Sequence, residues 1–129
     1  MTRQLISSGW RWEPVAGYSR AVRVGNMVFV SGTTATAPDG SIVGVDDMHA
    51  QAVQAFANIG RALEQAGASF ADVVRTRIFV TDMTKWEPVV RVHGEIFKDI
   101  RPASTLVGVT GLVHPDMLVE IEVDAVIEA

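Results

Sequence analysis

Two runs of β-branched and apolar residues, 19–24 and 27–32, flank Gly25-Asn26, whose residue types tolerate the positive φ of a tight turn; this spacing predicts a β-hairpin. The stretch "TAPDGS" then supplies turn chemistry, and Asp46 or Asp47 is placed to accept from the free N–H groups that open a helix. In "DMHAQAVQAFANIGRALEQAG", Ala52, Phe56, Ile59, Leu63 and Ala66 recur at three- and four-residue spacing, while Gln51, Asn58, Arg61 and Gln65 fall on other faces. That pattern predicts an amphipathic helix stopped at Gly67. Over 72–81 the period changes to two: Val74, Thr76, Ile78 and Val80 face one way and Arg75, Arg77 and Phe79 the other, as a strand requires.

A second helix follows in "TKWEPVVRVHGEIF". Thr84 and Glu87 stand at capping-box spacing, and Pro88 lies in the first turn, where its missing N–H is tolerated. Trp86, Val89, Val90, His93, Ile96 and Phe97 share one face, and Pro102 requires the helix to end before it. Two strands close the chain, 105–109 and 118–127. In the second, Val119, Ile121, Val123, Ala125 and Ile127 alternate with Glu120, Glu122 and Asp124, so one face is buried and the other presents three acids, with Arg75 and Arg77 as their cross-strand partners. The order β-β-α-β-α-β-β predicts an α+β fold, two helices on one mixed sheet, as a single domain over 1–129. The sheet's other face is left uncovered within one chain.

Composition sharpens this picture. An apolar fraction of 48% and a mean hydropathy of +0.23 are high for a small soluble domain, so self-association across the uncovered face is expected. The net charge of −4, with cations scattered along the chain, argues against nucleic-acid binding, which relies on clustered positive charge. Cysteine is absent, which excludes disulfides, thiolate nucleophiles and Cys-ligated metals. No apolar run is long enough for a signal peptide or a bilayer span, so the expected location is cytoplasmic, with no membrane partner.

No phosphate loop, nucleophile elbow or zinc-protease motif occurs, and His49, His93 and His114 are too widely spaced to suggest a metal site. His93, on the apolar helix face, reads as a core or interface histidine hydrogen-bonded through one nitrogen; His49 and His114 read as solvated. Glu122 and Asp124 read as outward charges. Glu120 opens the acidic row where a loop or neighbouring subunit could bury it and raise its pKa. Tyr18, ahead of the first strand, reads as a packed aromatic, and Ser31-Gly32 as a strand end. In "RPASTLVGV", Ser104 and Thr105 read as hydroxyls that satisfy backbone groups in the turn after Pro102.

The strings "GY" before the hairpin, "GNMVFVSG", "ALEQAGASFADVVRTRIFVTDM", "IRPAST" and "VEIEVDAV", in this order and over nearly the whole chain, resemble the YjgF/RidA (reactive intermediate deaminase) family. The resemblance implies a chorismate-mutase-like α+β fold, a homotrimer whose sheets line a central barrel, and a small-molecule ligand at each subunit interface. It further implies hydrolysis of enamine and imine intermediates to keto compounds and ammonia, with no metal and no cofactor. By resemblance, Glu120 is the catalytic residue that positions water, and Tyr18, Ser31, Gly32, Ser104 and Thr105 line the cleft. The sequence also departs from the family's active pattern. Ser104 stands where the carboxylate-clamping arginine follows "PA", Val90 replaces an asparagine and Leu106 a cysteine, which marks a divergent branch. A neutral hydroxyl contributes about 0.5–1.5 kcal/mol per hydrogen bond, against about 1.5–3 for a charged partner, so carboxylate binding at Ser104 is expected to be weak, with Arg101 as the candidate substitute cation. Three functions follow: a deaminase-like hydrolase with altered substrate preference, a non-catalytic small-molecule-binding homotrimer, and, least supported by the charge, an endoribonuclease or translation inhibitor.

Overall fold

The computed structural model describes residues 2–128 and sets six strands in one mixed sheet, in the order β1-β2-β3-β6-β4-β5. The strands are β1 Arg3–Ile6, β2 Ala21–Val24, β3 Met27–Thr33, β4 Val73–Val80, β5 Ala103–Gly108 and β6 Val119–Val126; the helices are α1 Trp12–Ala16, α2 Met48–Gln65 and α3 Trp86–Phe97. Every neighbouring pair is antiparallel except β4 and β5, which run parallel because α3 crosses between them. The expected hairpin is present, with Val24 opposite Met27 and Gly25 at φ 60°. The third helix and β1 were not expected. At four and five residues, neither is long enough to display a period, and β1 is defined by its pairing with β2, Arg3 to Val24 through Ile6 to Ala21.

Helix α2 begins where the Asp47 carboxylate accepts from Ala50 N at 3.0 Å, and the chain leaves it through Gly67 at φ 83°. Its apolar stripe is buried against the sheet as expected. Gln51 is a correction: it is fully buried rather than on a polar face. Its amide donates to Gly44 O (3.1 Å) and Asp116 O (2.8 Å), and its oxygen accepts from Leu118 N (2.9 Å), so it satisfies backbone groups of two loops at once.

Helix α3 also departs from the expected face. Val89, Val92 and Phe97 are buried while Trp86 and Val90 are exposed, because the helix meets the sheet along a narrower stripe rotated toward Val92. The Thr84–Glu87 capping box does not form; Asp82 instead accepts from Thr84 N and Oγ1, in a short 3-10 turn ahead of the helix. On β4, Val73 and Arg75 oppose Ala125 and Asp124, so Val74 is the extra residue of a β-bulge and is exposed, whereas Thr76, Ile78 and Val80 are buried as expected.

The core lies between α2, α3 and one sheet face. On the opposite face, Met27 and Phe29 alternate with buried Val28 and Val30 and are exposed, as is Val107. The acids of β6 stand on this open face, where Arg77 bridges Asp124 at 3.1 Å and Glu122 at 3.6 Å; among the described residues the ion pairs to this row come from Arg77 and none from Arg75.

Candidate functional site

Besides the Arg77–Asp124–Glu122 cluster, the open face carries a polar group at the end of β3. Val30 opposes Val123 and Thr33 opposes Ile121, so two residues of β3, Ser31 and Gly32, stand against one of β6, Glu122. The resulting irregularity brings Gly32 beneath Glu120: a Cβ at Gly32 would stand 2.9 Å from Glu120 Cδ and Oε2. Only hydrogen at this position leaves room for the carboxyl. Ser31 is held by its hydroxyl, which donates to Ser19 O at 2.7 Å. Burial pushes the Glu120 carboxyl above its ordinary value, Arg20 opposes that rise, and Glu122 adds to it. Such a carboxyl can hold and release a proton at pH values nearer neutrality than a free glutamate.

Arg20 holds the carbonyl of Gly32. Its Nη1 donates to Gly32 O at 2.9 Å and to Thr33 Oγ1 at 3.2 Å, and its Cζ lies 5.6 Å from the centroid of the Tyr18 ring. Behind it, Nε lies 3.8 Å from Oε2 of Glu13, with the two side chains 12% and 4% exposed. Glu13, in α1, also accepts from Ser7 Oγ, Ser8 N and Ser8 Oγ, so its buried charge is both paired and hydrogen-bonded.

Ser104 belongs to a different place. It lies beside Thr76 in the parallel β4–β5 ladder, and Thr76 Oγ1 donates to Ser104 Oγ at 2.7 Å while standing 2.9 Å from His93 Nε2. A threonine hydroxyl has a single proton, so Nε2 is the donor to it and the neutral His93 carries its hydrogen there. Burial lowers the His93 pKa, which keeps the ring neutral. This polar line runs on the helix side of the sheet, as Thr76 is fully buried beneath α3. Arg101, at φ 56°, lines a shallow depression with His93, Gly94, Phe97, Lys98 and Pro102 on that same side. Thr105 occupies the open face in register with Arg77 and, one strand further, Glu122.

Within one chain, therefore, Tyr18, Ser31, Gly32 and Glu120 are brought together, while Ser104 and Arg101 lie across the sheet from them. His93 is the hydrogen-bonded, partly buried residue expected; His49 is exposed, and His114 Nδ1 accepts from Asp116 N at 3.0 Å in its own turn. Glu13, Arg20 and the Thr76–His93 link were missed. The first two flank "PVAGYS" in a segment without periodicity, and the last joins elements distant in sequence. Among the described residues, no three His, Cys, Asp or Glu side chains converge as metal ligands, and no helix is long and apolar enough to cross a membrane.

Fold and face together define a small α+β protein, helices on one side of a mixed sheet and a polar half-cleft on the other. Residues 10–127 match the family model described as Endoribonuclease L-PSP. An uncharacterised protein of Streptomyces coelicolor is 36% identical over 120 residues, 93% of this chain and 89% of that protein. A RutC family protein of Pyrococcus abyssi is 32% identical over 122 residues, 95% of each. The crystal structure of a member of the YjgF/YER057c/UK114 family from Mycobacterium tuberculosis superposes with a TM-score of 0.89 at 48% identity, covering 98% of this chain and all of that one (100%). The chain belongs to this YjgF/Endoribonuclease L-PSP family.

Proposed function

We propose that the protein is a hydrolase of small reactive imines and enamines, working as a homotrimer in which the open face of each sheet is covered by neighbouring copies. The observation that carries this reading is the Glu120 carboxyl, half-buried against Gly32 and beside Arg20, on the open face of the sheet. The reaction asks little of the protein. An enamine first takes a proton at its β-carbon and loses one from nitrogen to become the imine. Water adds to the C=N carbon, Glu120 accepts a proton from that water and delivers it to nitrogen, and the carbinolamine then passes its hydroxyl proton to the amine, which leaves as ammonia as the C=O bond forms. A general acid–base group placed in this way contributes about 10²–10⁴-fold, enough for an electrophile already unstable in water. Tyr18 and Ser31 frame the pocket, and Ser104 or Arg101 of a neighbouring copy would close it.

The test is release of ammonia and pyruvate from 2-aminoacrylate generated in the assay. Wild-type protein is expected to accelerate it over the buffer rate and Glu120→Gln to lose most of that acceleration. Equal, buffer-level rates for both would dismiss the hydrolase reading for this substrate.

A second reading, a non-catalytic binder of small molecules, is favoured by Ser104, a neutral hydroxyl already engaged by Thr76 where a catalytic branch of the family would carry a cation. The endoribonuclease reading draws support from the family's description alone, and the net charge of −4 opposes it.

A further inference from the structure

We propose that Arg20 is the anion-recognising residue of this cleft, meeting the carboxylate of a small 2-imino or 2-keto acid through its Nη2, in place of the arginine missing at position 104. The inference rests on the reading of the Glu120 pocket as a ligand site and adds the residue that selects for charge there.

Three features of the guanidinium support it. First, it is fixed: Nη1 is bound to Gly32 O and Thr33 Oγ1, and Glu13 stands behind Nε, so the fork cannot rotate away. Second, its bonding is incomplete. Nε is buried without a hydrogen-bond partner, and among the described residues Nη2 hydrogen-bonds to none while remaining outside the set of sealed, unsatisfied atoms. A guanidinium with five donors and a planar face rarely leaves them idle in a protein interior. Third, its position suits the chemistry. Gly32 lies against Glu120 and its carbonyl oxygen accepts from Arg20, whose charge acts on that carboxyl, so an anion held at Nη2 would lie beside Glu120, with the Tyr18 ring 5.6 Å from the guanidinium.

The arrangement also couples binding to protonation. Arg20 favours the ionised form of Glu120, whereas burial and Glu122 oppose it. A ligand anion that neutralises Arg20 therefore raises the proton affinity of Glu120, and anion binding should take up protons at mildly acidic pH.

Pyruvate and its uncharged analogue pyruvamide are the probes, with binding followed by calorimetry on the intact protein. Wild-type is expected to bind pyruvate at millimolar concentrations and pyruvamide more weakly. Glu13→Gln/Arg20→Gln, which removes the buried pair together, should weaken pyruvate binding about tenfold or more, the loss expected for a charge-assisted bond. Arg91→Gln, on an exposed helix face, should stay within about threefold, as surface changes without contact do. Independently of any variant that fails to fold, the ¹⁵N guanidinium signals of Arg20 should shift when pyruvate is added. Absence of pyruvate binding to wild-type, undiminished binding by the folded double variant, or shifts confined to other arginines would each overturn the proposal. Turnover of 2-aminoacrylate is scored separately, so binding through Arg20 without turnover would retain this inference and reject the hydrolase.

Discussion

The Glu120 carboxyl rests on Gly32, with no room between them for a methyl group: Cδ and Oε2 both lie 2.9 Å from where a Cβ would be. The backbone of Gly32 does not occupy the left-handed region, so an alanine there is excluded by Glu120 and by nothing in its own conformation. Gly32→Ala should therefore fold normally yet displace the carboxyl. Loss of about tenfold or more in 2-aminoacrylate turnover is expected from a misplaced proton carrier, with the melting temperature within a few degrees of wild-type. Full activity in this variant would show that Glu120 does not need its place over Gly32.

The protonation of Glu120 sets a pH window for stability. Its folded pKa lies above the ordinary value of 4.5, so its protonated form stabilises the fold below that value and this contribution is lost as pH rises through the folded pKa. Glu120→Gln should consequently gain stability relative to wild-type as pH rises from 4.5 toward neutrality. Urea midpoints that differ by a constant amount across this range would show that the carboxyl is not perturbed.

His93 acts in the opposite sense. Its folded pKa is depressed by burial, so its contribution is complete above the ordinary value of 6.5 and is lost as pH falls through the folded pKa. His93→Gln, whose amide can still donate to Thr76, should flatten the decline in stability below pH 6.5. An unchanged acid profile would place the sensitivity elsewhere.

Gln51 joins two loops to α2 through three hydrogen bonds in a fully buried site. Gln51→Leu leaves Gly44 O, Asp116 O and Leu118 N without that partner, and should cost about 3 kcal/mol, the scale of two or three buried groups left partly unsatisfied. For a chain of this length that is roughly a 10 °C fall in melting temperature, read by calorimetry. A fall of less than about 2 °C would mean that water replaces the amide.

The open face should be the contact of the proposed trimer. Phe29 projects from it, flanked by buried Val28 and Val30. Phe29→Asp places an uncompensated charge there and should shift sedimentation at micromolar concentration from trimer to monomer. A trimer that persists in this variant would place the contact on another surface.

Periodicity determined the apolar stripe of α2 from Ala52 to Ala66, the alternation of β6 and the α+β class, because each of these repeats over enough residues for one face to declare itself, while the turn types of Gly25-Asn26 between two β-branched runs determined the hairpin. Local chemistry likewise placed a helix start at Asp46 or Asp47 and a stop at Gly67, and the structure selects Asp47. Tertiary structure decided the rest. Val74 turns outward because β4 gains a residue against β6, and Gln51 turns inward because two distant loops leave backbone groups that only a buried amide can reach. Resemblance named Glu120, Tyr18, Ser31 and Gly32; pairing between β3 and β6 is what sets Gly32 against Glu120, and Arg20 is what links Tyr18 to them. Arg20, Glu13 and the Thr76–His93 contact had no local signature: their roles arise from charges and hydroxyls that meet only after strands far apart in the chain have joined.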